Sequence, residues 1–303
     1  MFNVILILTL LNIKGIGRKT ANNLIKSNLP QDLDCSSIRN FLIENKYKIK
    51  RTSVVEMKEI IDAKRKCEKI IKICKEEHIN IISILDEEFP RKLKIIDDNP
   101  ILFYYKGDFQ CIKNNKSIAL IGSRKPTQES QLVAYNIGEF LVKNNFIIIG
   151  GLALGCDTYG HQSAVNHNEK TVAVMPCGLN EIYPKENLKL AEDILHNGGC
   201  IISEYPPNST VYKNQFIERD RLQSALSSGL IVVETTSKGG TMHTVNFALK
   251  QNKLIGCCKC ETNNHLLKNN KIHSICDEKS LEEFLNLVNK KRKEIYIQIP
   301  LNM

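Results

Sequence analysis

The strongest constraint on the fold is a regular alternation, from Ser117 onward, of short apolar runs with longer amphipathic segments. The apolar runs predict strands at 118–121, 146–149, 172–175, 200–203, 230–233 and 254–257. The amphipathic segments predict helices at 129–143, 158–167, 186–196, 216–227, 242–251 and 280–293. Strands that alternate with helices of this length are typical of βαβ units, which build a parallel sheet covered on both faces. The sequence therefore predicts the α/β class, with a Rossmann-like, doubly wound, mostly parallel sheet.

A helical region precedes this alternation. Apolar residues between Ser53 and His78 recur with helical spacing, and two helical stretches flank the turn Gly15-Ile16-Gly17. The second pattern predicts a helix-hairpin-helix, whose turn can present backbone N–H groups to a DNA phosphate. A packing or partner-docking role for this hairpin is the alternative.

These patterns divide the chain into three parts. Residues 1–78 are expected to form a small helical domain of the helix-hairpin-helix or SAM-like type. Residues 79–290 are expected to form the Rossmann-like domain, which begins with strand-like runs at 81–85 and 101–105. Residues 291–303 are expected to be a tail, with no winged-helix domain.

The charge balance is basic, with 42 Lys and Arg against 33 Asp and Glu and a formal net charge of +9. This balance permits nucleic-acid binding but does not establish it, because lysines occur along the whole chain. The hydrophobic fraction of 42% provides for a buried core and excludes a disordered or collagen-like protein. No apolar run reaches the ~18 residues of a membrane-spanning helix, so no membrane association is expected. The apolar run from Val4 to Leu11 lacks the flanks of a signal peptide and predicts a buried helix or strand.

The cysteines indicate a reducing compartment. Their number, 11, is odd, and several stand singly in apolar or helical stretches, as buried thiols of cytoplasmic proteins do. A cluster of Cys and His lies at 257–276, but it lacks the paired C-x-x-C spacing of structural zinc sites. We therefore expect a cytoplasmic protein without a metal or another cofactor.

The candidate binding residues lie directly after the predicted strands, where open α/β sheets bind their ligands. Glycine there lets the backbone approach a ligand, a helix start presents N–H groups, and arginine can donate two hydrogen bonds to one phosphate. Gly122-Ser123-Arg124-Lys125 follows the first strand, and a glycine-rich turn at 150–155 follows the second. For residues 122–125, a tight turn with an exposed arginine is the alternative. His161, on the helix that follows the second turn, is either a general base or a hydrogen-bonded structural residue.

The later turns carry further cationic and glycine-rich motifs. Lys185 stands at a helix start, where the helix dipole disfavours a cation unless an anion also binds. Arg219 and Arg221 follow Phe216 and combine charge with a stacking face, as in grooves for single-stranded nucleic acid. An arginine–aspartate ion-pair network is the alternative for one of them. The complete set of candidate DNA- or phosphate-binding residues is Gly122, Ser123, Arg124, Lys125, Gly151, Gly155, Lys185, Asn187, Phe216, Arg219, Arg221, Gly239, Gly240 and Thr241.

Together, these turns resemble those of the DprA/Smf family of DNA-processing proteins. The motifs are, in order, Gly-Ser-Arg-Lys-Pro at 122–126, Gly-Leu-Ala-x-Gly-x-Asp-x-x-x-His at 151–161, Gly-Leu-x-x-x-Tyr-Pro-x-x-Asn at 178–187, Ser-Glu-Tyr-Pro-Pro at 203–207, Phe-x-x-Arg-x-Arg at 216–221 and Gly-Gly-Thr-x-x-Thr at 239–244. The resemblance covers roughly residues 10–260.

The resemblance implies an extended Rossmann-like domain that binds and protects single-stranded DNA. It also implies a homodimer that loads the recombinase RecA onto incoming strands during natural transformation, and it implies no catalytic activity. Carried over by motif, Arg124 and Lys185 match the basic residues of the family's DNA pocket. Arg219 and Arg221 lie in the arginine motif beside that pocket.

The chain departs from the family pattern at several positions. Leu154 stands where arginine or lysine is usual, Ile217 where proline is usual, and Asp220 where asparagine is usual. The Pro-Gly pair that usually follows the last of the six predicted strands is missing at Cys257-Cys258.

Two other functions use the same turns. One is a nucleotide-sensing module of a defence system, in which the pocket holds a small anion. The other is an enzyme of the nucleotide phosphoribohydrolase type, which carries a catalytic glutamate three residues after its Gly-Gly-x-Gly-Thr motif. Thr244 stands at that position here, so the carboxylate that this reaction needs is absent.

Overall fold

A computed structural model describes residues 1–49, 53–113 and 116–298, except for the side chains of 295–298. Within these ranges the strands are β1 (Asn80–Ser83), β2 (Leu102–Gly107), β3 (Ser117–Ile121), β4 (Ile147–Gly150), β5 (Thr171–Met175), β6 (Cys200–Ser203), β7 (Gly229–Val232), β8 (Leu254–Cys258) and β9 (Ile272–Ile275). They form one sheet in the order β1-β2-β6-β5-β4-β3-β7-β8-β9.

The helices of the described residues are α1 (Phe2–Leu11), α2 (Arg18–Leu24), α3 (Cys35–Glu44), α4 (Met57–Glu76), α5 (Arg91–Lys94), α6 (Gln110–Lys113), α7 (Gln128–Lys143), α8 (Cys156–Asn166), α9 (Leu188–His196), α10 (Lys213–Leu226), α11 (Thr241–Lys250), α12 (Asn264–Leu267) and α13 (Glu278–Gln298). Helix α10 starts three residues before its predicted position, because Tyr212 and Gln215 cap its first turn reciprocally.

The sheet confirms the predicted fold class. All pairs from β6 through β3 to β9 are parallel, and each of the six strands predicted after residue 117 starts within one residue of its expected position. Strands β1 and β2 extend the sheet at one edge through antiparallel pairs, the second of them with β6. Strands β3 and β5 are buried along their whole length, as expected of parallel strands covered by helices on both faces.

Strand β9 was not predicted from the sequence. It is the edge strand beyond β8, and only its end residues Ile272 and Ile275 are buried. His273 and Ser274 between them interrupt the apolar run, because an edge strand with one neighbour buries less surface than a central strand.

The amino-terminal helices pack against the antiparallel edge of the sheet. Leu6 and Ile7 of α1 and Ile60 of α4 share one hydrophobic core with Tyr104 of β2 and Ile201 of β6. Helices α1 and α2 flank the predicted hairpin turn, in which Gly15 has a φ of 88°. A positive φ is adopted by glycine at little cost, so this turn depends on that residue.

The carboxyl-terminal helix extends beyond its expected end. Helix α13 continues to Gln298, so part of the predicted tail is helical. Residues 299–303 of that tail lie outside the described residues. Among the helices of the described residues, none has the length and apolar character needed to cross a membrane.

The strand order places a topological switch point at the centre of the sheet. The chain proceeds from β3 through β4 and β5 to β6 on one side, then returns to β7 on the other side of β3. Ligands of open α/β sheets bind outside the carboxyl ends of the strands beside such a point. The loops after β3, β4, β5 and β7 therefore define the candidate site.

Candidate nucleic-acid interface

Backbone contacts join the loops at the carboxyl edge of the sheet. In the loop after β3, Ser123 N donates to Glu234 O of the loop after β7, at 2.7 Å. Ser123 O accepts from Cys156 N, the first residue of α8, at 3.1 Å. The hydroxyl of Thr241 donates to Gly122 O at 2.9 Å. The loops after β3, β4 and β7 thus form one connected surface.

Two of the predicted glycines allow this close approach. A Cβ on Gly155, whose φ is 84°, would lie 2.3 Å from Ser123 O. A Cβ on Gly122 would lie 2.4 Å from Cys156 Sγ. Since no side chain fits at such distances, these glycines let the loops pack together.

A carboxylate already occupies the start of α7. Glu234, which is 8% exposed, accepts from Thr127 N at 2.9 Å and from the Thr127 hydroxyl at 3.2 Å. The Thr127 hydroxyl accepts from Ser130 N and caps the helix. The first turn of α7 therefore binds a carboxylate of the protein itself, and sequence reasoning did not single out Glu234 for this role.

An exposed row of cations and aromatic rings runs along the surface. The guanidinium of Arg124 lies 4.9 Å from the centroid of the Phe216 ring, and the Phe216 and Tyr183 rings form a T-shaped pair with a centroid distance of 5.7 Å. Lys185 is two residues beyond Tyr183, in a single 3₁₀ turn before α9. Arg124 and Lys185 are exposed and form no ion pair within the described part of the chain. We call Arg124, Phe216, Tyr183 and Lys185 the exposed row; the Phe216 ring is half-buried, and the other three side chains are exposed.

A depression of about 420 Å³ adjoins the exposed row. Arg124, Lys125 and Leu154 line its mouth together with Tyr159, whose hydroxyl donates to Gln131 Oε1 at 2.7 Å. Leu154 is 41% exposed. The depression thus combines two cations with apolar and amide groups.

The two predicted arginines of α10 point into the protein. Arg219 is 4% exposed, donates to Val174 O at 2.6 Å and lies 3.2 Å from Asp220 Oδ1. It packs over Gly151, where a Cβ would lie 1.7 Å from Arg219 Nη1. Arg221 is 3% exposed and pairs with Glu204 at 2.7 Å. Both arginines therefore form ion pairs with carboxylates, the alternative that the sequence left open for one of them. Neither guanidinium lies at the surface beside Arg124.

Other predicted residues hold the loops in place. Asn187 is buried and donates to Leu152 O at 2.8 Å and to the Thr158 hydroxyl at 2.9 Å. Gly239 packs against the Thr235 side chain, whereas Gly240 is exposed and has open space around it.

His161 has a structural role. It is buried, and its Nδ1 lies 2.8 Å from the Thr171 hydroxyl, which itself donates to Ile148 O. His161 Nδ1 is therefore the donor of that pair. Burial and the nearby Arg219 charge lower the pKa of His161 to about 3, so the ring is neutral at physiological pH.

Residues 80–283 match the family described as DNA recombination-mediator protein A. The chain belongs to this family. It is 32% identical over 188 residues to the DNA processing protein DprA of Bacillus subtilis, covering 62% of this chain and 63% of that protein. It is 30% identical over 229 residues to protein Smf of Borreliella burgdorferi, covering 75% of this chain and 68% of that protein. The chain thus spans about six-tenths of the length of its Bacillus relative.

Solved structures of this recombination-mediator family share the fold. DNA processing protein A of Helicobacter pylori superposes with a TM-score of 0.63 and 30% identity, covering 71% of this chain and 98% of that one. That structure concerns the single-stranded DNA binding mode of the H. pylori protein. The Streptococcus pneumoniae protein superposes with a TM-score of 0.74 over 93% of this chain at 23% identity, which supports the fold alone.

An arginine that was not predicted from the sequence connects the amino-terminal hairpin to the carboxyl edge of the sheet. Arg18, at the start of α2, pairs with Asp98 and lies 3.2 Å from Glu204 Oε1. Burial raises the pKa of Glu204, against the opposing effect of Arg221 and Arg18. Glu204 directly follows β6 in the Ser-Glu-Tyr-Pro-Pro motif. An acid at the end of a buried strand needs a cationic partner, so Glu204 was the sequence feature from which such a partner could have been predicted.

Proposed function

We propose that this chain binds single-stranded DNA along the carboxyl edge of its sheet. The observation that carries the proposal is the exposed row, in which two adjacent aromatic rings stand between two cations that form no ion pair with a carboxylate of the described residues. Grooves for single-stranded nucleic acid combine these same groups, because cations attract the phosphates and rings stack on the bases.

The positions of the groups fit such a strand. Arg124 is held against Phe216 and keeps its guanidinium edge free for a phosphate, to which it can donate two hydrogen bonds. Tyr183 is 44% exposed and offers a face for a base. The single-stranded DNA named for the H. pylori relative has the same chemistry.

The finer parts of the proposal rest on the family. We propose a cytoplasmic homodimer that protects incoming DNA and loads RecA during natural transformation and recombination. We further propose that it acts by binding and not as an enzyme. Thr244, which is 2% exposed, occupies the place of the catalytic glutamate of phosphoribohydrolases, and His161 is buried and neutral.

A salt titration of DNA binding tests the proposal. Fluorescence anisotropy with a labelled oligonucleotide should give a log K that falls linearly with log salt, by about 0.7 for each phosphate neutralised on a single strand. Arg124→Ala and Lys185→Ala should each weaken binding and reduce that slope by about one phosphate. Lys250→Ala, an exposed charge at the end of α11, is the matched control. Equal affinity of the wild type and the double variant would contradict the proposal.

The depression supports a second candidate, a sensor of small nucleotides. Its volume of about 420 Å³ falls within the range of small-molecule sites, about 300–1,000 Å³. A nucleoside monophosphate that binds saturably and excludes longer strands would favour this function. Displacement of the mononucleotide by an oligonucleotide would instead favour the DNA-binding function.

A further inference from the structure

Four basic side chains converge at the amino-terminal edge of the sheet, opposite the proposed DNA site. Lys92 comes from α5, Lys253 directly precedes β8, and Lys291 and Arg292 lie on α13. Each is half-buried. Since they come from three separate parts of the chain, the fold and not the local sequence brings them together. We call these four residues the basic recess.

The lysines of the recess donate to neutral backbone acceptors. The acceptors lie at the carboxyl end of α10, namely Leu226 O for Lys92, and Ser227 O at 2.6 Å and Ala225 O at 3.3 Å for Lys253. The end of a helix carries a partial negative charge, which tolerates cations but provides only about half a unit of charge. Lys291 donates to Asn252 O at 2.6 Å.

No carboxylate pairs with the basic recess in the described part of the chain. Burial, together with Lys253 and Arg292, lowers the pKa of Lys92 to about 7. Burial and the Lys291 charge lower the pKa of Lys253 to about 8. At the opposite edge of the sheet, by contrast, Arg221 has a buried carboxylate partner in Glu204. The lysines of the recess are therefore held without a carboxylate partner among the described residues, and an anion beside them would favour their charged forms.

The recess contains N–H donors beyond those that bond to the backbone. Arg292 Nε is buried and has no hydrogen-bond partner among the described residues. An ammonium group has three N–H donors, of which Lys92 uses one and Lys253 uses two. Buried donors are normally satisfied, so the Arg292 Nε–H favours an acceptor from outside the described residues.

We propose that the basic recess binds a phosphate group through Lys92, Lys253 and Arg292. A phosphate has enough oxygens to accept from donors that arrive from three directions, and its negative charge offsets the excess of cations. A carboxylate has two oxygens and one charge and would leave part of the recess unsatisfied. The recess is at the other edge of the sheet from Arg124, so this site does not depend on the proposed DNA function.

Calorimetric titration with inorganic phosphate, at constant ionic strength in chloride, tests the site. Wild-type protein should bind phosphate saturably, and Arg292→Gln should weaken binding about tenfold or more, the effect of losing one charged hydrogen bond. Lys293→Gln removes the same charge from the next, exposed residue of α13 and should leave affinity within about twofold. Absence of saturable binding to the wild type, or equal weakening by Lys293→Gln, would overturn the site.

A second measurement uses the wild-type protein and therefore does not require that any variant folds. Phosphate should raise the pKa of Lys92, measured through the chemical shift of its side-chain carbon, because an anion stabilises the charged ammonium. A pKa of Lys92 that is unchanged at saturating phosphate would overturn its assignment as a ligand.

The source of the phosphate is distinguished by competition in an Arg124→Glu background, in which the proposed DNA site is removed. Displacement of phosphate by a nucleoside monophosphate, but not by an unphosphorylated oligonucleotide, assigns a free phosphate or a nucleotide. Displacement by the oligonucleotide assigns the phosphodiester backbone of a strand.

Discussion

Arg124 stacks over Phe216, with the guanidinium carbon 4.9 Å from the ring centroid. The two residues come from different elements, since Arg124 lies in the loop after β3 and Phe216 is the fourth residue of α10. The ring holds the guanidinium by a cation–π contact worth about 0.5–1 kcal/mol at an exposed site. The pair therefore holds the proposed phosphate-binding cation against an aromatic ring.

This pairing predicts non-additive effects on DNA affinity. Phe216→Ala should weaken binding to an oligonucleotide by about 1–3 kcal/mol through lost stacking. Combined with Arg124→Ala, the loss should be smaller than the sum of the single losses, by about 0.5–1 kcal/mol, because each single change also disturbs the partner. A double-mutant cycle by fluorescence anisotropy measures this coupling. Strictly additive losses would show that the two residues bind DNA independently.

The loop glycines predict opposite effects on stability. Gly155→Ala places a Cβ 2.3 Å from Ser123 O at a φ of 84° and should destabilise the fold by more than about 1 kcal/mol. Gly240→Ala is the matched control, because Gly240 has a φ of −57° and open space around it. Urea unfolding should show the second variant unchanged or up to about 1 kcal/mol more stable. Equal midpoints for the two variants would contradict the packing role of Gly155.

The sequence was sufficient to predict the parallel sheet and the position of Arg124 in the loop directly after β3. Buried parallel strands are apolar along their length and the turns after them are polar, so both features can be recognised locally. The ion pairs could not be predicted from the sequence in this way. Arg18 meets Glu204 across 186 positions of sequence, and Arg221 meets Asp98 across 123. Whether an arginine faces solvent or a distant acid is decided by the tertiary fold, and a motif does not report it.

Asp220, which stands where the family usually has asparagine, predicts a pH dependence of stability. Burial raises the pKa of Asp220 from 3.8 to about 6, despite the Arg219 guanidinium beside it. Between these pH values the folded protein holds a proton that the unfolded chain has released, so the free energy of unfolding falls as the pH rises. Asp220→Asn removes this loss.

The variant should therefore gain stability over the wild type as the pH rises from about 4 to 6. The difference should level off above that range at up to about 3 kcal/mol, which is the shift of two pKa units expressed as free energy. Urea unfolding at a series of pH values measures it. Asp62→Asn, at an exposed position on α4, serves as the control. Its free energy of unfolding relative to the wild type should not rise between about pH 4 and 6. A constant difference for Asp220→Asn would contradict the assigned titration.

Leu154 provides a prediction of gained affinity. It lines the mouth of the depression beside Arg124 and Lys125, at the position where the family usually carries arginine or lysine. Leu154→Arg adds a cation beside two that form no ion pair among the described residues. It should therefore tighten binding to single-stranded DNA and steepen the salt dependence by about 0.7 in log K per log salt, the effect of one more phosphate contact. Leu132→Arg, an exposed leucine on α7 outside the depression, adds the same charge as a control. Salt-titrated anisotropy should show the steeper slope for Leu154→Arg alone; the same increase in both variants would mean that net charge, and not position beside Arg124, controls DNA affinity.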